Sequence, residues 1–93
     1  MNLEIGYSHR AYKFINKNSH IITRQKVRTL LISAVKKLLK MEDVNLDLKQ
    51  LKGSNKGEYR IRTGKIRIIF TFEKNEIFVV FVEEVSFRAD AYK

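Results

Sequence analysis

The sequence predicts an α+β fold in which two N-terminal helices pack on one face of a small, mainly antiparallel sheet, in the order β-α-α-β-β-β. Three observations predict it. Apolar residues recur at three- and four-residue steps through the first half of the chain, and the period becomes two from Glu58 onward. The chain contains no proline and only four glycines, and 44% of its residues are apolar, which suits packed structure and excludes a disordered or collagen-like chain. Ninety-three residues make one domain, residues 1–93, with a single core that needs no staple.

In chain order, Leu3, Ile5 and Tyr7 alternate with Asn2, Glu4 and Gly6 as a short first strand. Ser8 is the N-cap of a helix in "HRAYKFINK", whose Ala11, Phe14 and Ile15 share a face. "KNS" at 17–19 is a tight connection. Val27, Leu30, Leu31, Ala34, Val35, Leu38 and Leu39 then form a stripe over roughly three and a half helical turns. Arg24, Lys26, Arg28, Lys36, Lys37 and Lys40 lie mostly off the stripe, as a solvated face. "MEDVNLDLKQLKG" breaks the helical period, and Leu46, Leu48 and Leu51 anchor an irregular or extended connection. "EYRIRT", "IRIIFTF" and "IFVVFVEEV", separated by "GK" and "EKNE", form two hairpins in series, a three-stranded meander. The tail "FRADAYK" turns back onto the sheet.

Register decides what the hairpins display. With Gly64 and Lys65 as the centre of a two-residue loop, Arg62 faces Arg67. Alternation then places Arg60, Arg62, Arg67, Ile69 and Thr71 on one face, and Tyr59, Ile61, Ile66, Ile68, Phe70 and Phe72 on the other. A second turn at Lys74 and Asn75 would add Ile77, Val79 and Phe81 to the apolar face, and Phe78, Val80, Val82 and Glu84 to the arginine face. Glu83 and Glu84 are adjacent, so a bulge would exchange their faces.

The charge needs a partner. Nineteen Lys and Arg oppose ten Asp and Glu, a net charge of +9, and an anionic partner offsets the self-repulsion. Directly opposed like charges in a sheet cost up to ~1 kcal/mol, so strand propensity does not account for three arginines in one patch. The planar guanidinium fork suits phosphate oxygens, which favours nucleic acid over a diffuse acidic surface; neutralisation by Glu58, Glu83 or Glu84 is the competing account. The absence of cysteine removes disulfides and thiolate metal sites. The N-terminus lacks a signal-peptide pattern, and the apolar run "IFVVFV" is far short of the ~20 residues that span a bilayer, so a soluble cytoplasmic protein is expected. His9 and His20 read as surface or cap residues.

"LKGSNKGEYRIRTGKIRIIF", followed after one more strand by "FRADAYK", resembles the RelE/ParE superfamily of type II toxins, and the order of elements agrees over essentially the whole chain. The resemblance implies a small toxin neutralised by a cognate antitoxin. In the RelE branch it implies a metal-free, cofactor-free endoribonuclease that cuts mRNA in the ribosomal A site, leaving a 2′,3′-cyclic phosphate. It places Arg60 and Arg62 at the basic positions of the "YxIx" strand and Arg67 at a phosphate-contacting arginine. Tyr92 falls at a tail tyrosine that stacks on a base, with Arg88 in the same tail pattern. Lys52, Lys56 and Lys65 flank the hairpin loops and would meet RNA backbone. The chain departs from the family pattern where lysines are replaced by Arg60 and Arg62, since a guanidinium holds its proton too tightly to be a good base. The basic or histidine residue before the tail arginine is Phe87 here. That removes a candidate general acid, while Glu84, on the predicted arginine face, can supply the carboxylate base that the arginines cannot.

Two other readings remain. ParE-type relatives poison DNA gyrase and need no ribonuclease site. A non-enzymatic basic module would only bind antitoxin or nucleic acid. Each implies an antitoxin whose acidic, partly disordered segment folds onto the helices or the arginine face.

Overall fold

The computed structural model describes residues 2–51 and 57–88. Its elements are β1 (Leu3–Tyr7), α1 (His9–Lys17), α2 (Arg24–Leu38), β2 (Asp47–Gln50), β3 (Glu58–Thr63), β4 (Ile66–Lys74) and β5 (Phe78–Phe87). The sheet order is β1-β5-β4-β3-β2, with β1 parallel to β5 and every other pair antiparallel. The α+β class and the helices on one face of a mainly antiparallel sheet are as the sequence predicts.

Local chemistry accounts for the helix ends. Ser8 Oγ accepts the Ala11 N–H at 3.1 Å and Thr23 Oγ1 accepts the Lys26 N–H at 3.1 Å, each satisfying a donor that the first turn leaves free. Helix α2 stops without a glycine. Lys40 takes a left-handed φ of 58°, its N–H reaches Lys37 O at 3.1 Å, and the Met41 N–H reaches Lys36 O at 2.8 Å. These two bonds are the Schellman closure, normally built on glycine.

Ala11 and Ile15 of α1 and Val27, Leu31, Ala34 and Val35 of α2 are buried against Ile61, Ile66, Ile68, Phe70, Val80, Val82 and Val85 of the sheet. Each large side chain in this layer contributes roughly 1.5–3 kcal/mol by leaving water. Phe14 meets Phe87 edge-to-face at 5.0 Å, which pins α1 to the end of β5.

Three differences from the sequence reading bear on function. First, Asp47–Gln50, expected as part of a connection, is a strand on the edge beyond β3, with Asp47 opposite Arg62 and Lys49 opposite Arg60. Leu46 and Leu48 alternate with Asp47 and Lys49, a period-two signal too short to stand out.

Second, the β4–β5 turn occupies Asn75 to Ile77, and Lys74 pairs with Phe78. The turn is one residue longer than the expected Lys74–Asn75 loop, and that shift flips every side chain that follows. Phe78, Val80 and Val82 therefore face the helices, not the arginines, Val79 and Phe81 face the arginine side, and Ile77 lies in the turn.

Third, Ile69 pairs with Glu84 while Phe70 pairs with Val82, so Glu83 is the extra residue of a β-bulge. The bulge reverses the parity again. Glu84 returns to the arginine face, as the sequence predicts, and Val85 is buried.

Candidate nucleic-acid interface

The β3–β4 hairpin sets the centre of the site. Gly64 supplies the positive φ, 54°, that its position in a two-residue loop requires, and Thr63 pairs with Ile66 across it. Arg62 then stands opposite Arg67, and Arg60 opposite Ile69, on the face turned away from the helices. Strand β2 adds Lys49 beside Arg60 and Asp47 beside Arg62.

The three arginines share a face but not an environment. The Arg60 side chain is only 7% exposed and its Nη2 lies 3.5 Å from Asp47 Oδ1. The other Asp47 oxygen is 3.9 Å from Arg62 Nε, so one carboxylate, itself 57% exposed, bridges two guanidinium groups. Arg67 forms no ion pair with a described residue. Arg60 Nη1 and Arg67 Nε are buried and have no hydrogen-bond partner among the described residues. Since an unsatisfied buried donor costs about 1–3 kcal/mol, these nitrogens favour an oxygen-rich anion at this surface.

Strand β5 completes the face through its bulge. The Glu83 carbonyl accepts the Ser8 hydroxyl at 2.6 Å and Arg10 Nε at 3.0 Å, so the start of α1 holds the extra residue in place. Beyond it, Ser86 stands opposite Arg67 and donates to Glu84 Oε2 at 3.1 Å, while Arg10 Nη1 lies 3.5 Å from Glu84 Oε1. Glu84 is thus aimed by two side chains and sits opposite Ile69, one strand from Arg67 and two strands from Arg60 and Arg62. Local pattern does not reveal these residues, because an edge strand brings Asp47 and Lys49, a helix start brings Arg10, and the β5 bulge aligns Ser86.

Arg88 plays a different part from the arginines of the hairpin. Its backbone N–H donates to Lys65 O at 2.8 Å and its Nη1 to Gly64 O at 3.2 Å, so it clamps the turn from which Arg62 and Arg67 project. Its Nε is also buried with no described partner. Lys65 is exposed at the turn. Tyr92, Lys52, Lys56 and Asp90 lie outside the described residues. His9 and His20 are exposed and neither lies in the sheet.

On the helix side, Tyr7, Arg24, Gln25 and Arg28 line a shallow depression. Burial pushes the Tyr7 hydroxyl above the ordinary tyrosine value of 10.0, against the opposing pull of Arg24 and Arg28. Among the described residues, no three His, Cys, Asp or Glu side chains gather as metal ligands would. No helix among them is long and apolar enough to cross a membrane.

No family model matches this chain, and no curated protein sequence matches it. Solved structures do. A chain of the RelB–RelE antitoxin–toxin complex from Methanococcus jannaschii superposes with a TM-score of 0.59 and 22% identity over 94% of both chains. A chain of the DinJ–YafQ toxin–antitoxin complex from E. coli superposes with a TM-score of 0.61 and 16% identity over 100% of both. YafQ from E. coli strain BL21(DE3) gives 0.53 and 18% over 97% of this chain and 98% of that one. The two helices, the mixed five-stranded sheet and their order are therefore the fold of RelE- and YafQ-type toxins.

Proposed function

We propose that this chain is the toxin of a type II toxin–antitoxin system, acting in the cytoplasm as a metal-free endoribonuclease that cuts mRNA on the ribosome. The observation that carries the proposal is the pair of buried, unpartnered guanidinium nitrogens of Arg60 and Arg67, among the described residues, on the sheet face that the helices leave uncovered. A phosphate bridging them would supply the missing acceptors. The shared fold with RelE and YafQ supports the toxin reading.

In the reaction, the 2′ oxygen of one nucleotide attacks the adjacent phosphorus, its proton passes to Glu84, and the bond to the 5′ oxygen breaks. The product is a 2′,3′-cyclic phosphate, and the departing 5′ oxygen takes a proton from water. Arg62 and Arg67 donate hydrogen bonds to the phosphate oxygens and hold the charge that grows on the phosphorane. Ser86 and Arg10 keep the Glu84 oxygens turned toward the face. Arg60, tied to Asp47, braces Arg62 and offers its free Nη1 to the phosphate. Arg88 acts through the turn, as a positioning residue. Lys52, Lys56 and Lys65 meet the RNA backbone and Tyr92 stacks on a base. An acidic, partly disordered antitoxin segment neutralises the +9 charge and blocks the face.

Purified ribosomes programmed with a defined mRNA test the proposal. Wild-type protein should cut at the A-site codon, and Arg67→Ala should slow cutting by roughly 10²–10³-fold, the usual loss for one donor to a developing oxyanion. No cleavage by the wild type would refute it. The gyrase-poison reading draws on one observation: neither histidine lies in the sheet, so the face lacks an imidazole acid. Trapping of cleaved DNA–gyrase complexes, with mRNA intact, would select that reading.

A further inference from the structure

Phe81 is a large apolar side chain left 41% exposed, and it stands on the arginine face in a central stretch of β5. The other exposed large apolar residues among those described, Tyr12, Ile21 and Met41, lie outside the sheet. Phe81 pairs with Thr71 on β4 and with Gly6 on β1. Gly6 leaves its ring room: a β-carbon there would lie 3.2 Å from Cδ1 and 3.7 Å from Cε1. Burying this ring would stabilise the chain by hydrophobic transfer, yet the fold leaves it open on the face that carries the cationic cluster farther along the strands.

We infer that Phe81 is a stacking platform for an unpaired nucleobase of the RNA whose phosphate lies at Arg67. Along β4, Thr71 is four residues from Arg67, so the backbone position opposite Phe81 stands about 13 Å along the strand from that of Arg67 at ~3.3 Å per residue. That distance suits a neighbouring nucleotide rather than the one being cut. A sheet surface pairing cationic side chains for the backbone with an aromatic ring for a base is the physical recipe for single-stranded RNA. An apolar partner segment would be served by the ring but not by the guanidinium groups farther along the same face, and an acidic one by the reverse. A nucleotide uses both. This inference rests on the proposed function in that it takes RNA as the ligand of the arginine face.

The chain has no tryptophan, so Phe81→Trp creates a single emitting indole at the site. The full-length variant is titrated with oligoadenylate, with oligouridylate and with inorganic polyphosphate, which carries the charge without bases. Stacking predicts quenching by both oligonucleotides, stronger with adenine, and none by polyphosphate. Phe81→Ala should weaken oligoadenylate binding about 5- to 150-fold and leave polyphosphate binding unchanged, whereas Arg67→Ala should weaken both. Gly6→Ala, which displaces the ring without removing it, should also weaken oligonucleotide binding selectively. Unchanged RNA affinity in Phe81→Ala, or indole emission unmoved by saturating RNA, overturns the inference. Emission that responds only to an acidic antitoxin peptide also overturns it and assigns the ring to that partner. No ribosome is present in these titrations. Base-dependent quenching without ribosomal cleavage would therefore sink the proposed reaction alone, and cleavage with unmoved emission would sink the platform alone.

Discussion

Asp47→Asn separates what holds the arginine cluster together from what the cluster is for. The carboxylate lies 3.5 Å from Arg60 and 3.9 Å from Arg62, and the amide that replaces it keeps the shape and removes the charge. Breaking a fully buried pair by losing one partner costs about 3–5 kcal/mol, and an exposed pair is worth about 0–1 kcal/mol. Here Arg60 is buried and Asp47 is 57% exposed, so solvent screens the carboxylate while the guanidinium keeps its desolvation cost. The Arg62 contact shares the same carboxylate and is longer, so it adds little. The expected loss is about 1–2 kcal/mol, or a melting temperature lower by about 4–16 °C for a domain of this size. The variant should also bind phosphate and RNA more tightly, because the anion no longer competes with an internal carboxylate. Thermal unfolding with and without added phosphate reads both effects: phosphate should recover more of the lost stability in Asp47→Asn than it adds to the wild type. A variant as stable as wild type, with the same response to phosphate, would refute the view that Asp47 occupies the place of a ligand.

Three further expectations concern the frame of the site. Ser8→Ala removes both an N-cap and a donor to the bulge carbonyl and should cost about 1–2 kcal/mol in urea unfolding; Arg10 still serves that carbonyl, so the register of β5 should survive in hydrogen exchange. Lys40→Gly relieves a left-handed residue at the end of α2 and should stabilise the chain by roughly 0.5–1 kcal/mol in the same assay, an outcome that a loss of stability would contradict. Tyr7 has its folded pKa raised above 10.0, chiefly by burial, so its contribution to stability is complete below about pH 10 and is lost as pH rises from there through the folded value. Tyr7→Phe should therefore lose less stability than wild type on that alkaline limb, and the wild-type phenolate absorbance should show one tyrosine titrating late.

By itself the sequence determined whatever is decided within a few residues of its own position. The Ser8 cap, the α2 stripe and the β3–β4 hairpin with Arg62 opposite Arg67 all follow from local rules, because a two-residue loop around Gly64 fixes register and register fixes faces. Tertiary structure decided the rest. Asp47 reached the cluster through a four-residue edge strand that only pairing with β3 stabilises, and Arg60 became buried there. The faces of β5 turned on a longer turn and on a bulge at Glu83, each reversing the alternation once. That bulge is held by Ser8 and Arg10, more than seventy residues away in the chain. Side-chain alternation is a parity, and a single residue inserted under the control of distant contacts inverts it without leaving a mark in the local pattern.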